Sequence, residues 1–268
     1  MGGANAGIAV AVAKKLADFG LGNDAFGGVR IPAAHCGLFG YRPTPGLVDT
    51  SGIIAMADTF DNIGVCSASL GLLSQFQELV AKPSTAVTNI QGVVIAEPIF
   101  ASFYSDEAMK QVYQQLEQLN LPQETTLAMN KLVLSRIEKA QVAIASQEFL
   151  LMYQSWLDSA KLDLPTSTQG YLERLREVDY KAHYQAKKTR KQLRDSITAM
   201  WSSDKVMIMP STPGAILPRD ADQPTSDRFN LAQRRLVALA DVCGLPQLTI
   251  PLFTHENVLR DNITRASL

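Results

Sequence analysis

Two short unbroken apolar runs, Val93-Val94-Ile95-Ala96 and Val206-Met207-Ile208-Met209, have the pattern of strands buried on both faces. Between them the apolar and polar positions take helical patterns, which predict helices over Asp106 to Leu119, Lys131 to Asp158 and Gly170 to Met200. An earlier helix is predicted over Ala6 to Phe19, a small, apolar stretch rich in Ala, Leu and Lys that a glycine loop leads into. The glycines of that loop fit tight packing better than an anion site at the helix terminus. Strands separated by helices argue for an α/β fold, with a mixed or parallel sheet flanked by helices on both sides. Pro122, Pro165 and Pro218 mark loops, and there is no internal repeat or low-complexity linker.

Composition narrows the class without naming a function. The 268 residues are 46% hydrophobic and 19% charged, enough to build one large domain or one with an inserted lobe. A formal net charge of −1 gives no electrostatic reason to expect nucleic acid or an anionic membrane as partner. The basic run Lys187-Lys188-Thr189-Arg190-Lys191, with Arg194, reads as a solvated helix face. Three scattered cysteines, Cys36, Cys66 and Cys243, suit neither a disulfide framework nor a zinc site, so a reducing, cytoplasmic location is expected. The apolar stretch from Ala6 to Ala13 is interrupted by Lys14 and Lys15 and has no basic leader, so neither a signal peptide nor a membrane span is expected. No cofactor and no metal are expected.

The most informative segment is Gly22-Asn23-Asp24-Ala25-Phe26-Gly27-Gly28-Val29-Arg30-Ile31-Pro32, followed by Cys36-Gly37-Leu38-Phe39-Gly40-Tyr41-Arg42-Pro43-Thr44. It resembles the core of the amidase signature family, in which a serine attacks an amide carbonyl. In that family the segment reads glycine, threonine, aspartate, any residue, glycine, glycine, serine, a branched aliphatic, arginine, any residue, proline. Gly28 stands at the nucleophile's place. The attacking serine needs a positioned base, which in this family is a second serine held in a cis peptide and relayed to a lysine. The family's spacing leads back from Gly28 to Ala4, in Gly2-Gly3-Ala4-Asn5-Ala6-Gly7, where no residue carries a hydroxyl. The lysine's place lies upstream of Met1. The resemblance therefore implies that nucleophile, cis-serine and lysine are all missing. It also implies a degenerate oxyanion loop at Ala25, Phe26, Gly27 and Gly28, with Phe26 where active members usually have glycine. Asp24 and Arg30 are implied to be internal partners that hold the loop's shape.

Further motifs follow in the family's order: Arg42-Pro43-Thr44-Pro45-Gly46-Leu47-Val48, Phe60-Asp61-Asn62-Ile63-Gly64, Val206-Met207-Ile208-Met209-Pro210-Ser211-Thr212-Pro213 and Gly244-Leu245-Pro246-Gln247-Leu248-Thr249-Ile250-Pro251. Several motifs in order carry more weight than one glycine pattern. The implied fold is an amidase-signature-type mixed sheet flanked by helices, incomplete relative to the full family fold. Residues 1–252 would be a truncated amidase-signature domain, with a largely helical substrate-side region at about 106–200, and 253–268 an unrelated polar tail.

In the substrate-side region, Gln154-Ser155-Trp156-Leu157 and Arg174-Leu175-Arg176 resemble the indoleacetamide-type and biuret-pathway-type subgroup. Trp156, Tyr153 and Tyr171, with Ser211 and Thr212 of the late pocket loop, are the candidate pocket residues. For the three aromatics the plainer reading is helix residues packed on the sheet. Other nucleophiles carry little: His35 and Cys36 are adjacent and would point apart on an extended segment, His183 reads as a surface residue, and Thr44, Thr50, Ser51 and Ser67 have no evident base.

Three functions stay open at this point. One is a ligand- or protein-binding pseudoenzyme; the amidase-like domain of a chloroplast outer-envelope preprotein receptor is similar in carrying glycine at the same place. Another is a residual small-amide hydrolase using other residues or a partner subunit. The third is a non-functional relic of a truncated amidase gene. Truncated edges are expected to be covered by a homodimer or a protein partner, and a small amide-like ligand is the expected occupant of the old pocket.

Overall fold

The computed structural model describes residues 3–80, 89–160, 163–164, 166–200, 204–255 and 258–267; at 166–168, 171, 198, 200, 253–255 and 258–267 it describes the backbone alone. The chain begins with α1 (Ala6–Ala13) and β1 (Phe19–Asn23), and a 3-10 turn at Ala25–Gly27 leads into α2 (Arg30–His35). Next come β2 (Phe39–Arg42), β3 (Ile63–Ser67), α3 (Leu70–Val80), β4 (Gly92–Ile95), α4 (Glu97–Phe100), α5 (Asp106–Glu117) and β5 (Gln123–Thr125). Three helices, α6 (Lys131–Ser159), α7 (Thr166–Arg176) and α8 (Tyr180–Met200), precede β6 (Lys205–Pro210), α9 (Gln223–Cys243), β7 (Gln247–His255) and β8 (Val258–Ser267).

Among the described residues the strands form one sheet in the order β1-β3-β2-β7-β8-β6-β4-β5. β4 runs parallel to β5 and β6, and the other pairs are antiparallel, so the expected mixed sheet is what forms. The two apolar runs lie side by side, Val94 paired with Met207. Their alternation supplies two cores. Val94, Met207 and Met209 pack with apolar residues of α6, α8 and α9; Val93, Ile95 and Ile208 pack with Phe100, Met109, Val112 and Leu116 of α4 and α5. Every residue of β4 is buried, as a strand covered on both faces requires.

Local chemistry fixes the helix ends. Asn130 caps α6 by accepting from the N–H groups of Leu132 (3.0 Å) and Val133 (3.2 Å). Ser105 caps α5, and Asp222 caps α9 by accepting from Thr225 N–H at 2.7 Å. α9 stops at Gly244, whose φ of 71° suits a residue without Cβ.

The structure departs from the sequence reading at several elements. The helix expected over Ala6 to Phe19 ends at Ala13, because Lys15 turns left-handed (φ 60°) and Phe19 begins the edge strand β1. The helix expected over Gly170 to Met200 is two helices, separated where the Asp179 carboxylate accepts from Ala182 N–H at 2.7 Å and restarts the chain as α8. The polar segment after 252 continues β7 to His255 and supplies β8, between β7 and β6. The basic run on α8 is exposed at Lys187, Lys188, Lys191 and Arg194, but Arg190 turns inward. Its Nε donates to Val242 O at 3.0 Å and its guanidinium sits 5.7 Å from the Phe60 ring. Pro165 lies outside the described residues. Among the described residues no helix is long and apolar enough to cross a membrane.

Candidate functional site

The loop between β1 and α2 is held from below by a buried four-charge cluster. One Asp24 carboxylate oxygen accepts from the N–H groups of Val29 (2.7 Å) and Arg30 (3.0 Å), at the start of α2. The other accepts from Arg30 Nε at 2.5 Å. Arg30 then reaches α9, donating to Asp241 at 2.5 Å and to Val237 O at 3.2 Å. Arg42 of β2 brings its Nε to 3.2 Å from Asp241 and donates to the carbonyls of Asp24 (3.2 Å) and Phe60 (3.0 Å). Gln141 of α6 donates to the remaining Asp241 oxygen at 2.7 Å. All four charged residues have no exposed surface. Two carboxylates face two guanidiniums, so the cluster is neutral and richly hydrogen-bonded, the condition under which buried charge is tolerated. Burial pulls the Arg30 pKa down, but Asp24 and Asp241 outweigh it and hold it above the ordinary value. Burial, aided by Arg30, lowers that of Arg42. Asp24 and Arg30 are the scaffold pair expected from sequence; Arg42, Gln141 and Asp241 complete it.

Above this cluster the loop closes on itself. Ala25 N–H donates to the Asn23 side chain at 3.0 Å, Gly27 N–H to Asp24 O at 3.2 Å and Gly28 N–H to Ala25 O at 3.2 Å. Three of the four amides of the expected oxyanion loop are thus engaged within it. Phe26 takes a left-handed conformation (φ 58°, ψ 27°), and its half-buried ring packs edge-on against Phe60 at 6.2 Å. Gly28 is placed for a different reason. Its backbone is ordinary right-handed, but a Cβ there would lie 2.6 Å from Asn23 O and 3.1 Å from Asn5 Nδ2. Asn5 fills the surrounding space, its N–H donating to Gly28 O (3.2 Å) and its Nδ2 to Asn23 O (2.9 Å).

A cavity of about 600 Å3 opens over this loop. Ala4 and Gly28 both line it. Phe26, Ile31 and Met56 supply apolar wall on one side, and Val142 and Ala145 of α6 with Leu175 of α7 supply it on the other. Met56 is placed by Asp61, which accepts from the N–H groups of Met56 (2.8 Å) and Ala57 (3.2 Å). The polar lining comes from Glu138, Arg174, Asn230, Gln233 and Arg234. Glu138 is 7% exposed and lies 4.0 Å from Arg234 Nε. Arg174 has no acidic partner among the described residues, whereas its neighbour Arg176 pairs with Asp158 at 3.1 Å. Gln233 ties the cavity wall to a buried histidine: His35 Nε2 is bonded to Gln233 Oε1, and Gln233 Nε2 donates to Asn230 at 3.2 Å. Burial pushes the His35 pKa down, with the Gln233 bond partly opposing it, which keeps the imidazole neutral. Among the described lining residues there is no hydroxyl, thiol, imidazole or amine.

The other sequence candidates lie elsewhere. Ser211 and Thr212 follow β6 and are buried, but neither lines the cavity. Thr212 Oγ1 is spent on Gly214 O at 3.0 Å, and the Thr212 carbonyl accepts from Tyr104. Trp156 is 55% exposed and also lies off the lining; it sits about 16 Å along α6 from Ala145, at 1.5 Å rise per residue. Tyr153 donates to Ala55 O at 2.6 Å, bracing a loop, and the Tyr171 side chain lies outside the described residues. His35 ends a helix instead of an extended segment, and burial raises the Cys36 thiol pKa. His183 is half-buried, Ser67 donates to Asp18 O and Ser51 to Asp49; none lines the cavity. The residues that sequence reasoning missed are those of α9 and Glu138. The signals for α9 were Asp222 with Pro224 at its start and Gly244 at its end.

Comparison with known proteins now bears on this geometry. The family model described as Amidase matches residues 1–103, the part containing the loop, Ala4 and Gly28. Amidase 1 of Arabidopsis thaliana is 25% identical over 289 residues, covering 96% of this chain and 68% of its own length. The chain is similar to amidases along nearly its whole length, and its first 103 residues match their family model. It is also 24% identical over 278 residues to the pea (Pisum sativum) protein Translocon at the outer membrane of chloroplasts 64, covering 94% of this chain and 47% of that one. A solved structure described as an amidase superposes with a TM-score of 0.84 at 19% identity, covering 99% of this chain and 62% of the other. That likeness establishes the fold, and the sheet described above is part of the larger fold of such amidases. The chain spans about two thirds of the plant amidase and about half of the chloroplast protein.

Proposed function

We propose that this amidase-like chain is a non-hydrolytic binding domain that holds a small amide-like ligand in the 600 Å3 cavity. The observation that carries this reading is the cavity lining. Gly28 and Ala4 lie in it, and the described lining offers no hydroxyl, thiol, imidazole or amine to attack a carbonyl. Two features support it further. The Ala25, Gly27 and Gly28 amides are turned into the loop, away from any developing oxyanion, and the space beside Gly28 is closed by Asn5 and Asn23. What persists is the buried charge cluster that shapes the loop, together with a mixed apolar and polar wall of the kind that binds small molecules. The pea relative is a precedent for an amidase-like sequence in a protein named for another role.

The test is calorimetric titration of the purified chain with benzamide, phenylacetamide and indole-3-acetamide. The expected result is one-site binding of at least one of them, lost on Ala145→Phe, which fills the cavity. Absence of binding across the set, or binding that Ala145→Phe leaves intact while its circular dichroism matches the parent, would sink the reading.

One observation favours a second reading. Glu138 is the carboxylate of the cavity lining, and a buried carboxylate can act as general base toward water. In that reading the chain is a slow small-amide hydrolase, and Glu138→Gln removes its activity.

A further inference from the structure

A second cavity, of about 220 Å3, opens between the start of α6 and the first half of α9. Lys131 comes from α6, and Arg228 and Arg235 come from α9; Phe103, Leu134 and Leu231 supply apolar wall. Three lining residues are cations and none is acidic. Arg228 and Arg235 lie two turns apart on one face of their helix.

Among the described residues, no carboxylate lies at hydrogen-bond distance from any of the three cations. Lys131 Nζ sits 4.8 Å from the centre of the Phe103 ring and donates to Ser102 O at 3.4 Å. Arg228 donates to the Thr225 hydroxyl at 3.1 Å. Arg235 Nε is buried without a hydrogen-bond acceptor. A Glu138 oxygen lies 4.0 Å from it, and Glu138 is divided between Arg235 and Arg234 at the same distance. Asp222, at the start of α9, is the acidic group that interacts electrostatically with Arg228, so the three cations are only partly offset by Asp222 and Glu138.

We infer that this cavity is a binding site for a small phosphate monoester, its phosphate held among Lys131, Arg228 and Arg235 and its organic part resting on Phe103. Three cations offset in part by the exposed Asp222 and by Glu138 leave a positive excess that a phosphate monoester, with about −1.5 to −2 at neutral pH, fills better than a monocarboxylate. Guanidinium forks suit phosphate oxygens. The volume lies below the range for drug-sized ligands, which limits the organic part to a small ring or a few atoms. This site does not depend on the reading of the larger cavity.

The experiment is calorimetric titration of the full chain with phenyl phosphate, inorganic phosphate and benzoate, repeated for Lys131→Gln and Arg228→Gln, both at exposed positions whose replacement leaves the core intact. The expected result is saturable one-site binding of phenyl phosphate, weakened at least about tenfold by each substitution and weakened further by added salt. Benzoate should bind at least about tenfold more weakly, since it offers half the charge. No saturable binding of phenyl phosphate, binding unchanged in both variants, or benzoate binding equally well would each overturn the inference. Loss of phenyl phosphate binding on Arg174→Gln, with both other variants unaffected, would overturn it by placing the anion in the larger cavity.

Discussion

Phe26 offers a direct measure of how far the loop has been rebuilt around a side chain. Its backbone is left-handed (φ 58°), which costs a residue with a Cβ about 1–2 kcal/mol. The half-buried ring offsets this. Half of the roughly 1.5–3 kcal/mol for burying a large apolar side chain, plus about 0.5–1.5 kcal/mol for the edge-on pairing with Phe60, gives roughly 1.3–3 kcal/mol. Phe26→Ala loses the ring and keeps the strain, so it should destabilise by about that amount. Phe26→Gly loses the same ring but releases the strain, so its net cost should be smaller by about 1 kcal/mol. Glycine should therefore be the more stable of the two substitutions, the reverse of the usual order, in which glycine is about 0.5–1 kcal/mol worse than alanine inside regular structure. Urea unfolding of both variants, with slopes compared to confirm the same transition, reads this difference. An alanine variant as stable as the glycine variant, or more so, would refute the strain argument.

Other substitutions test the remaining parts of the site. Gly28→Ser should destabilise by about 1–3 kcal/mol through the 2.6 Å approach of its Cβ to Asn23 O and should restore no turnover, because Ala4 supplies no hydroxyl; a fully stable variant with amide hydrolysis would contradict both points. Asp241→Asn leaves two buried guanidiniums facing Asp24 alone and should cost about 3–5 kcal/mol, a fall in melting temperature on the order of 10 °C; a shift within error would show that the cluster does not hold the loop. His35 has a folded-state pKa below its ordinary 6.5, so the unfolded chain binds its proton more readily. The stability it contributes is in place above pH 6.5 and is lost as pH falls through the folded value, by up to about 1.4 kcal/mol per pH unit. His35→Gln should flatten the stability profile on the acid side of pH 6.5, and an unchanged slope would refute this.

Much of the fold was legible because its strongest signals are local. The runs at Val93 and Val206 could be little else than doubly covered strands, and the capped, periodic stretch from Lys131 gave α6 to within a residue or two of its observed ends. The glycine-rich loop announced itself through residue types whose roles depend on close packing, and beneath it Asp24 and Arg30 form a buried ion pair. What failed was set by distant partners. Helix α1 stops early because the chain must turn at Lys15 to add β1 to the sheet edge, which its composition does not encode. Arg190 sits in a basic run yet turns toward Phe60 and Val242, contacts that only the fold provides. Trp156 was attractive for its size, but its position along α6 carries it past the cavity, whereas the unremarked Glu138 lies at it. Gln233 and Arg234 were out of reach because α9 as a whole went unread, although its cap residues stood at both ends.

The measurement that tests the central claim most directly is ammonia release from benzamide, phenylacetamide and indole-3-acetamide by the purified chain, alongside Glu138→Gln. The account predicts no release above the uncatalysed rate from either protein. Release that scales with protein concentration in the parent and disappears in Glu138→Gln would contradict it, and would show the cavity to be a working amidase site built on a carboxylate in place of the family's serine.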